Sequence, residues 1–439
     1  MLTMNFAQRR ACESREPADR RAAQLAALNR LLEKILPHNH FYAEKLGEAL
    51  TRSSGSPSGP LHSLDDLNQL PFTFKDELLN PRHSGDLAAN LTFAPDRYAR
   101  YHQTSGTRGR PIVVLDTRED WQWWMDCWQF VLDAADINPG DTVFMAFSFG
   151  PFVGFWSAFD AAVERGCLVV PGGGLASLAR VELIRRSRAT AVFCTPSYAL
   201  HLAEVAAEHK LILADLPIRT VIVAGEPGGS ISSVRSRIEQ AWQARVLDHA
   251  GATEIGPWGY GDERGEGLYV NEHDFVAEFV AVDSGTAARE GELAELVLTN
   301  LGRVGCPLVR YRTGDLVRPR WSRGGENRFV FLEGGVLGRV DDMMIVRGVN
   351  IFPSSIEQIL RSFPEVIEYR MTVSKIKEMD ELVIEIEDRL NDPDRVGTEL
   401  AVRLGLKIEV RAVSLGSLPR GDGKASRFVD KRCTPTSNH

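Results

Sequence analysis

The segment YHQTSGTRGRP (101–111) gathers glycine, hydroxyl and guanidinium groups in one loop just ahead of the β-branched run IVVL. Glycines let backbone N–H groups approach an anion closely and hydroxyls add donors, which makes Thr104, Ser105, Gly106, Thr107 and Gly109 candidates for wrapping phosphate oxygens. By composition alone such a loop is more often just a turn. It is not a Walker A loop, because G-x-x-x-x-G-K-[ST] is absent both here and around Lys424, where position 418 is Leu. Four further stretches stand in order behind it: AGEP (224–227), HAGATEIG (249–256), YRTGDL (311–316) with GRVDDMMIVRGVNIFPSSIE (338–357), and LPRGDGKASRFVDKR (418–432). Taken singly, each has a bland reading: Lys424 a solvated tail residue, Glu254 and Thr253 a helix start, Asp315 a turn aspartate, Arg339 a surface partner of the two aspartates after it, and Pro227 a turn residue after a strand.

The five stretches together resemble the adenylate-forming superfamily of acyl-CoA synthetases, luciferase-like enzymes and peptide-synthetase adenylation domains. Within it the chain is most similar to the phenylacetate–CoA ligase family, a likeness that HFYAEKL (40–46), SLDDLNQLPFTFKDEL (63–78) and PSSIEQIL (353–360) extend over nearly the whole length. The resemblance implies an ATP-dependent reaction in two steps. A carboxylate attacks the α-phosphate and expels pyrophosphate, and a thiol then displaces AMP from the acyl-adenylate to give a thioester. It implies Lys424 as the lysine bridging acyl carboxylate and phosphate, Glu254 as the Mg²⁺-linked carboxylate, Thr253 as a donor to the α-phosphate and Asp315 as acceptor for both ribose hydroxyls. Arg339 would lie near the same nucleotide, with Gly225, Glu226 and Pro227 against one face of the adenine and Gly251 and Ala252 against the other. Cations suit the first step because charge builds on the triphosphate: at an effective dielectric near 20, one charge pair ~4 Å apart is worth on the order of 4 kcal/mol. For the second step, Asp341 matches a hinge about which a small C-terminal domain turns, and Gly348 a glycine lining the thiol tunnel.

Two positions depart from the family pattern, Arg108 for a usual threonine and Arg110 for a usual lysine, which replaces a flexible point charge by rigid forks. The acyl slot is expected around Phe149 and Phe152, with His102 and Trp258 reaching toward it, and its aromatic character suits an aryl acid; core packing is the alternative for at least half of the aromatic residues there. The basic tail residues Arg420, Lys424, Arg427, Lys431 and Arg432 either attract the phosphates of coenzyme A or form a solvated face. No zinc is expected, since GYGDERGEGLYVNEHD (259–274) contains no cysteine. The thiol acceptor is coenzyme A or the phosphopantetheine of an acyl carrier protein; a catalytically silent nucleotide-binding relative is a further reading. A homodimer is a family-based expectation.

These residues need a scaffold. Between about 100 and 300, short apolar runs (DTVFMAF, GCLVVPGG, ATAVFCTP, RTVIVAGEP, ARVLDHAG) alternate with helix-like segments, which predicts an α/β fold with a parallel sheet covered on both faces. The candidate loops then fall at the C-terminal ends of the strands, where ligands gather in such sheets. A β-rich subdomain is expected over about 269–337, closing a large domain of residues 1–340, followed by a small mobile α+β domain over 341–439. The stretch 143–159 is uncharged but interrupted by Gly150, Pro151 and Gly154, and reads as strand, loop and buried helix rather than as a membrane span.

Composition narrows the class further. With 59 acidic against 51 basic side chains the net charge is −8, which leaves no domain-wide positive field for nucleic acid. Six dispersed cysteines form no C-x-x-C pair and read as reduced thiols of a cytoplasmic protein. The N-terminus lacks the apolar core of a signal peptide.

Overall fold

The computed structural model describes residues 3–56, 59–79, 87–104, 111–154, 156–321, 326–340, 344–346, 349–351, 353–376, 379–404, 406–418 and 427–431. Among these, the principal element is a nine-stranded sheet ordered Pro319–Arg320, Phe331–Glu333, Gly267–Val270, Gly256–Gly261, Arg245–Ala252, Thr220–Val223, Ala191–Cys194, Thr142–Met145, Leu168–Pro171. The five strands from 142 to 252 run parallel, as the alternation of apolar runs and helices predicts. The other four join antiparallel. Strand Arg245–Ala252 is the joint: its first half pairs parallel with Thr220–Val223 and its second half forms a hairpin with Gly256–Gly261, so HAGATEIG sits where the sheet changes character.

The strands expected to form a subdomain over 269–337 divide between two sheets. Some extend the nine-stranded sheet, while Phe275–Ala281, Ala294–Asn300, Tyr311–Val317 and Gly338–Arg339 make a separate four-stranded antiparallel sheet. Alternating apolar residues specify that each segment is a strand, but not which edge it joins.

The helix Arg118–Ala134 carries WQWWMDCW and is buried along most of its length. Thr117 caps it in a reciprocal box with Asp120. Trp123, Trp124 and Trp128 enter the main core, each indole N–H with an acceptor: Asp274 at 2.9 Å, Asp116 at 3.2 Å and Ser157 at 2.8 Å respectively. Ser63 caps the short helix Leu64–Gln69, accepting the Asp65 N–H. The stretch 143–159 resolves into the end of strand Thr142–Met145, a Gly/Pro loop and the start of helix Trp156–Arg165. No helix among the described residues is long and apolar enough to cross a membrane. Cys12, Cys127, Cys167, Cys194 and Cys306 are all buried free thiols.

The C-terminal portion folds on a core of its own. Its four-stranded sheet is ordered Glu409–Ala412, Met379–Asp388, Val366–Ile376, Phe428–Asp430, with helices Pro353–Leu360 and Pro393–Leu404 packed on it. Strand Phe428–Asp430 pairs parallel with Val366–Ile376, which ties the segment just after Lys424 into this small sheet.

Candidate active site

The site is assembled from loops at the C-terminal ends of adjacent parallel strands. Val223 lies opposite both Cys194 and Asp248 in register, so the loops beginning at Thr195 and Ala224 emerge side by side, next to the end of strand Arg245–Ala252 that leaves the parallel sheet. Gly225 has φ +91°, a conformation in which a side chain would be strained. The Glu226 carboxylate turns toward helix Pro196–Glu208 and accepts the Ser197 N–H at 2.7 Å, near the positive end of that helix.

Thr253 and Glu254 occupy the turn between strands Arg245–Ala252 and Gly256–Gly261, a hairpin turn rather than a helix start. The Tyr311 hydroxyl donates to Oε1 of Glu254 at 3.0 Å. Burial and the nearby Glu254 charge push the Tyr311 phenol well above its ordinary range, so it stays protonated as a donor. Four residues further along the same strand, Asp315 lies directly across from Arg339. Nη1 of Arg339 donates to Asp315 Oδ1 at 2.8 Å and Nη2 to the Thr313 carbonyl at 3.0 Å. A bulge against strand Ala294–Asn300 and a positive φ of +76° at Gly314 re-aim this end of the strand. Two candidates 24 residues apart in sequence thus form one ion pair.

Beneath the Thr253-Glu254 turn lies a buried element that sequence reasoning did not single out. Arg303, wholly buried, donates from Nε and Nη2 to the two carboxylate oxygens of Asp116 at 2.7 and 2.8 Å. Its Nη1 donates to the backbone carbonyls of Glu254 at 2.7 Å and Thr253 at 3.2 Å, and its guanidinium lies 5.2 Å over the Trp124 ring. Burial pushes the Asp116 carboxyl up, but Arg303 and His102 outweigh it and hold it below the ordinary carboxylate range. His102 is buried on strand Arg100–Gln103, with Nδ1 3.9 Å from Asp116 and its ring stacked on Trp121 at 5.3 Å. It therefore supports the phosphate-loop strand from below. An arginine inside the apolar run LGRVGCPL, following an aspartate that ends the run IVVLD, was the available signal.

Thr104 pairs with Ile112: its N–H donates to the Ile112 carbonyl at 2.9 Å, and its hydroxyl accepts the Ile112 N–H at 3.0 Å. Ser105, Gly106, Thr107 and Gly109, like Lys424, Asp341 and Gly348, lie outside the described residues. The Gln103 N–H donates to Pro151 O at 2.8 Å, which joins this loop to the aromatic one. There Phe149 packs against Trp156 (centroids 4.6 Å apart) and edge-on to Phe159 (5.9 Å). Phe152 is 39% exposed, seated between Gly150 and Gly154, whereas Trp258 is only 1% exposed and belongs to the core. The described residues contain no cluster of three or more His, Cys, Asp or Glu able to hold a metal. A lone carboxylate such as Glu254 suits Mg²⁺ that arrives on phosphate oxygens and keeps part of its water shell.

A model of the AMP-binding enzyme family matches residues 32–273, and a model of the AMP-binding enzyme C-terminal domain matches residues 348–432. The chain belongs to this family of adenylate-forming enzymes and is an AMP-forming acid–thiol ligase. It is 31% identical to phenylacetate-coenzyme A ligase of Pseudomonas putida over 94% of each chain. Identity to the enzyme of the same name from Thermus thermophilus is 30%, over 94% of this chain and 96% of the relative. Among solved structures, 2-hydroxyisobutyryl-CoA ligase in its postadenylation state with 2-HIB-AMP superposes with a TM-score of 0.88 at 27% identity, covering 96% of this chain and 92% of that one. The same ligase in its thioesterification state with coenzyme A superposes at 0.72, with 28% identity and 98% and 94% coverage.

Proposed function

We infer that this acyl-CoA ligase activates an aromatic, phenylacetate- or benzoate-like acid with ATP and transfers it to coenzyme A. The observation that carries the reading is the convergence of Glu254, through Tyr311, and Asp315, through Arg339, on one strand beside the 225–227 and 251–252 loops. In the adenylation step an acid oxygen attacks the α-phosphorus, the bond to the β-phosphate bridging oxygen breaks, and pyrophosphate leaves. Lys424 approaches the acid and phosphate oxygens as a point charge, Thr253 donates to the α-phosphate, and Asp315 accepts from the ribose hydroxyls. Mg²⁺, when bound, neutralises triphosphate charge, and Glu254 is the side chain that would hold it. In the second step the thiolate attacks the acyl carbon, the acyl–phosphate C–O bond breaks, and AMP departs. The two conformational states of the 2-hydroxyisobutyryl-CoA ligase support a turn of the small domain between these steps, about a hinge at Asp341 that brings Gly348 to the thiol path. The aromatic preference rests on the Phe149–Trp156 pair beside the phosphate-loop strand and on the relatives named phenylacetate-coenzyme A ligase.

The test is acid-dependent pyrophosphate exchange over aryl, fatty and 2-hydroxy acids, repeated with coenzyme A and with a phosphopantetheinylated carrier protein. Phenylacetate or benzoate should give the highest kcat/KM and a CoA thioester. Preference for 2-hydroxyisobutyrate would overturn the aromatic assignment, and transfer to the carrier alone would overturn the CoA assignment.

A further inference from the structure

Glu226 links the large domain to the small one. While Oε1 accepts the Ser197 N–H, Oε2 lies 3.9 Å from Nη1 of Arg427, and the two side chains are only 9% and 16% exposed. Arg427 is braced from behind: Nε and Nη2 donate to the Glu368 carboxylate at 2.6 and 3.0 Å, and the guanidinium lies 5.5 Å over the Tyr369 ring. Arg361, held by Glu357 with an N–O distance of 2.9 Å, lies 5.8 Å over the same ring. Burial disfavours the Arg361 charge, while Tyr369, Glu357 and Glu226 favour it by a larger margin. Opposing this attraction is Arg237 on helix Ser232–Trp242, whose charge is disfavoured by burial and then by Arg361.

Three observations fix what this contact does. Arg427 follows Lys424 by three residues, a stretch of chain that spans at most about 11 Å, so wherever Arg427 docks, the lysine is brought near. The chain superposes far better on the postadenylation state of 2-hydroxyisobutyryl-CoA ligase than on its thioesterification state, 0.88 against 0.72, so the contact belongs to an arrangement that precedes thioester formation. Finally, the pair is longer than a hydrogen bond and the like charges of Arg237 and Arg361 oppose the docking beside it, which makes it a contact that can break within a turnover.

We propose that Glu226 and Arg427 form a breakable electrostatic latch that docks the small domain on the large one for adenylation and must open before the thiol can reach the acyl-adenylate. The proposal rests on the two-step ligase reading above. Glu226 acts here as a positioning residue: it need not touch the reacting atoms.

The test uses the full-length enzyme and measures the half-reactions separately, adenylation by pyrophosphate exchange at saturating ATP and thioester formation from a synthetic acyl-adenylate with coenzyme A. Glu226→Gln keeps the acceptor for Ser197 and removes the charge, and Arg427→Gln removes the partner. Each should slow adenylation by about three- to tenfold, and Arg427→Gln, which leaves the nucleotide loops untouched, should leave thioester formation unchanged or faster. The double variant should be no slower in adenylation than the slower single one, and added salt should slow the wild type but not the variants. Equal loss of both half-reactions, or additive loss in the double variant, would overturn the latch. A wild-type enzyme that neither exchanges pyrophosphate nor makes thioester would overturn the ligase reading instead.

Discussion

In the proposed reaction Lys424 and Glu254 carry opposite charges, and their types suit different tasks. An ammonium on a flexible stem can arrive and withdraw, whereas a carboxylate that accepts from a buried tyrosine is held in place. Lys424→Ala should therefore abolish pyrophosphate exchange and largely spare thioester formation from supplied acyl-adenylate. Equal loss in both assays would contradict its assignment. Arg427 departs from the sequence expectation: one of five basic tail residues read as a coenzyme A patch or a solvated face, it is instead engaged by Glu368 and directed at Glu226. Trp258 departs as well, since its near-complete burial keeps it from lining an open slot.

At the scale of elements, the Thr253-Glu254 turn owes its position to Arg303, which bridges it to Asp116 at the end of strand Val113–Asp116. Arg303→Met would leave the Asp116 carboxylate buried and unpaired, a loss of about 3–5 kcal/mol in stability by analogy with other broken buried pairs. Arg303→Lys keeps a charge but not the fork, so it should fold with a lower Tm and still lose kcat, because the two carbonyls behind the turn are no longer both held. Thermal denaturation together with pyrophosphate exchange checks both, and a Lys variant with full kcat would dissociate Arg303 from the site. His102 is part of the same support, stacked on Trp121 rather than facing a substrate slot.

Over the whole molecule, buried titrating groups pull stability in opposite directions with pH. Burial raises Glu13, which accepts from the Tyr260 hydroxyl, from 4.5 to about 7 and Asp248 from 3.8 to about 6. For these raised acids the stabilisation is full below the unfolded value and is lost as pH climbs through the folded one. Burial lowers His249, packed on Trp128, from 6.5 to about 4, so its contribution is full above 6.5 and is lost as pH falls toward 4. A shift of that size corresponds to on the order of 3 kcal/mol. His249→Gln removes the one component among these three that grows with pH, so its Tm should fall more steeply than that of the wild type between pH 4.5 and 7.5. Parallel Tm profiles would show that His249 is not held neutral in the fold.

The parallel strand–helix alternation, the strand–loop–helix reading of 143–159 and the ordered motifs that place the chain among adenylate-forming ligases are all legible in the residues themselves. These features are local, set by periodicity and contiguous residues. Long-range packing set the rest: the strands after 269 split between two sheets, Asp315 pairs with Arg339, Arg303 holds the Glu254 turn from below, and Glu226 faces Arg427. Each of these joins residues from 24 to more than 200 positions apart. Such pairings follow from which strand edges meet and which charges are buried together, and alternation along a single strand carries no record of either.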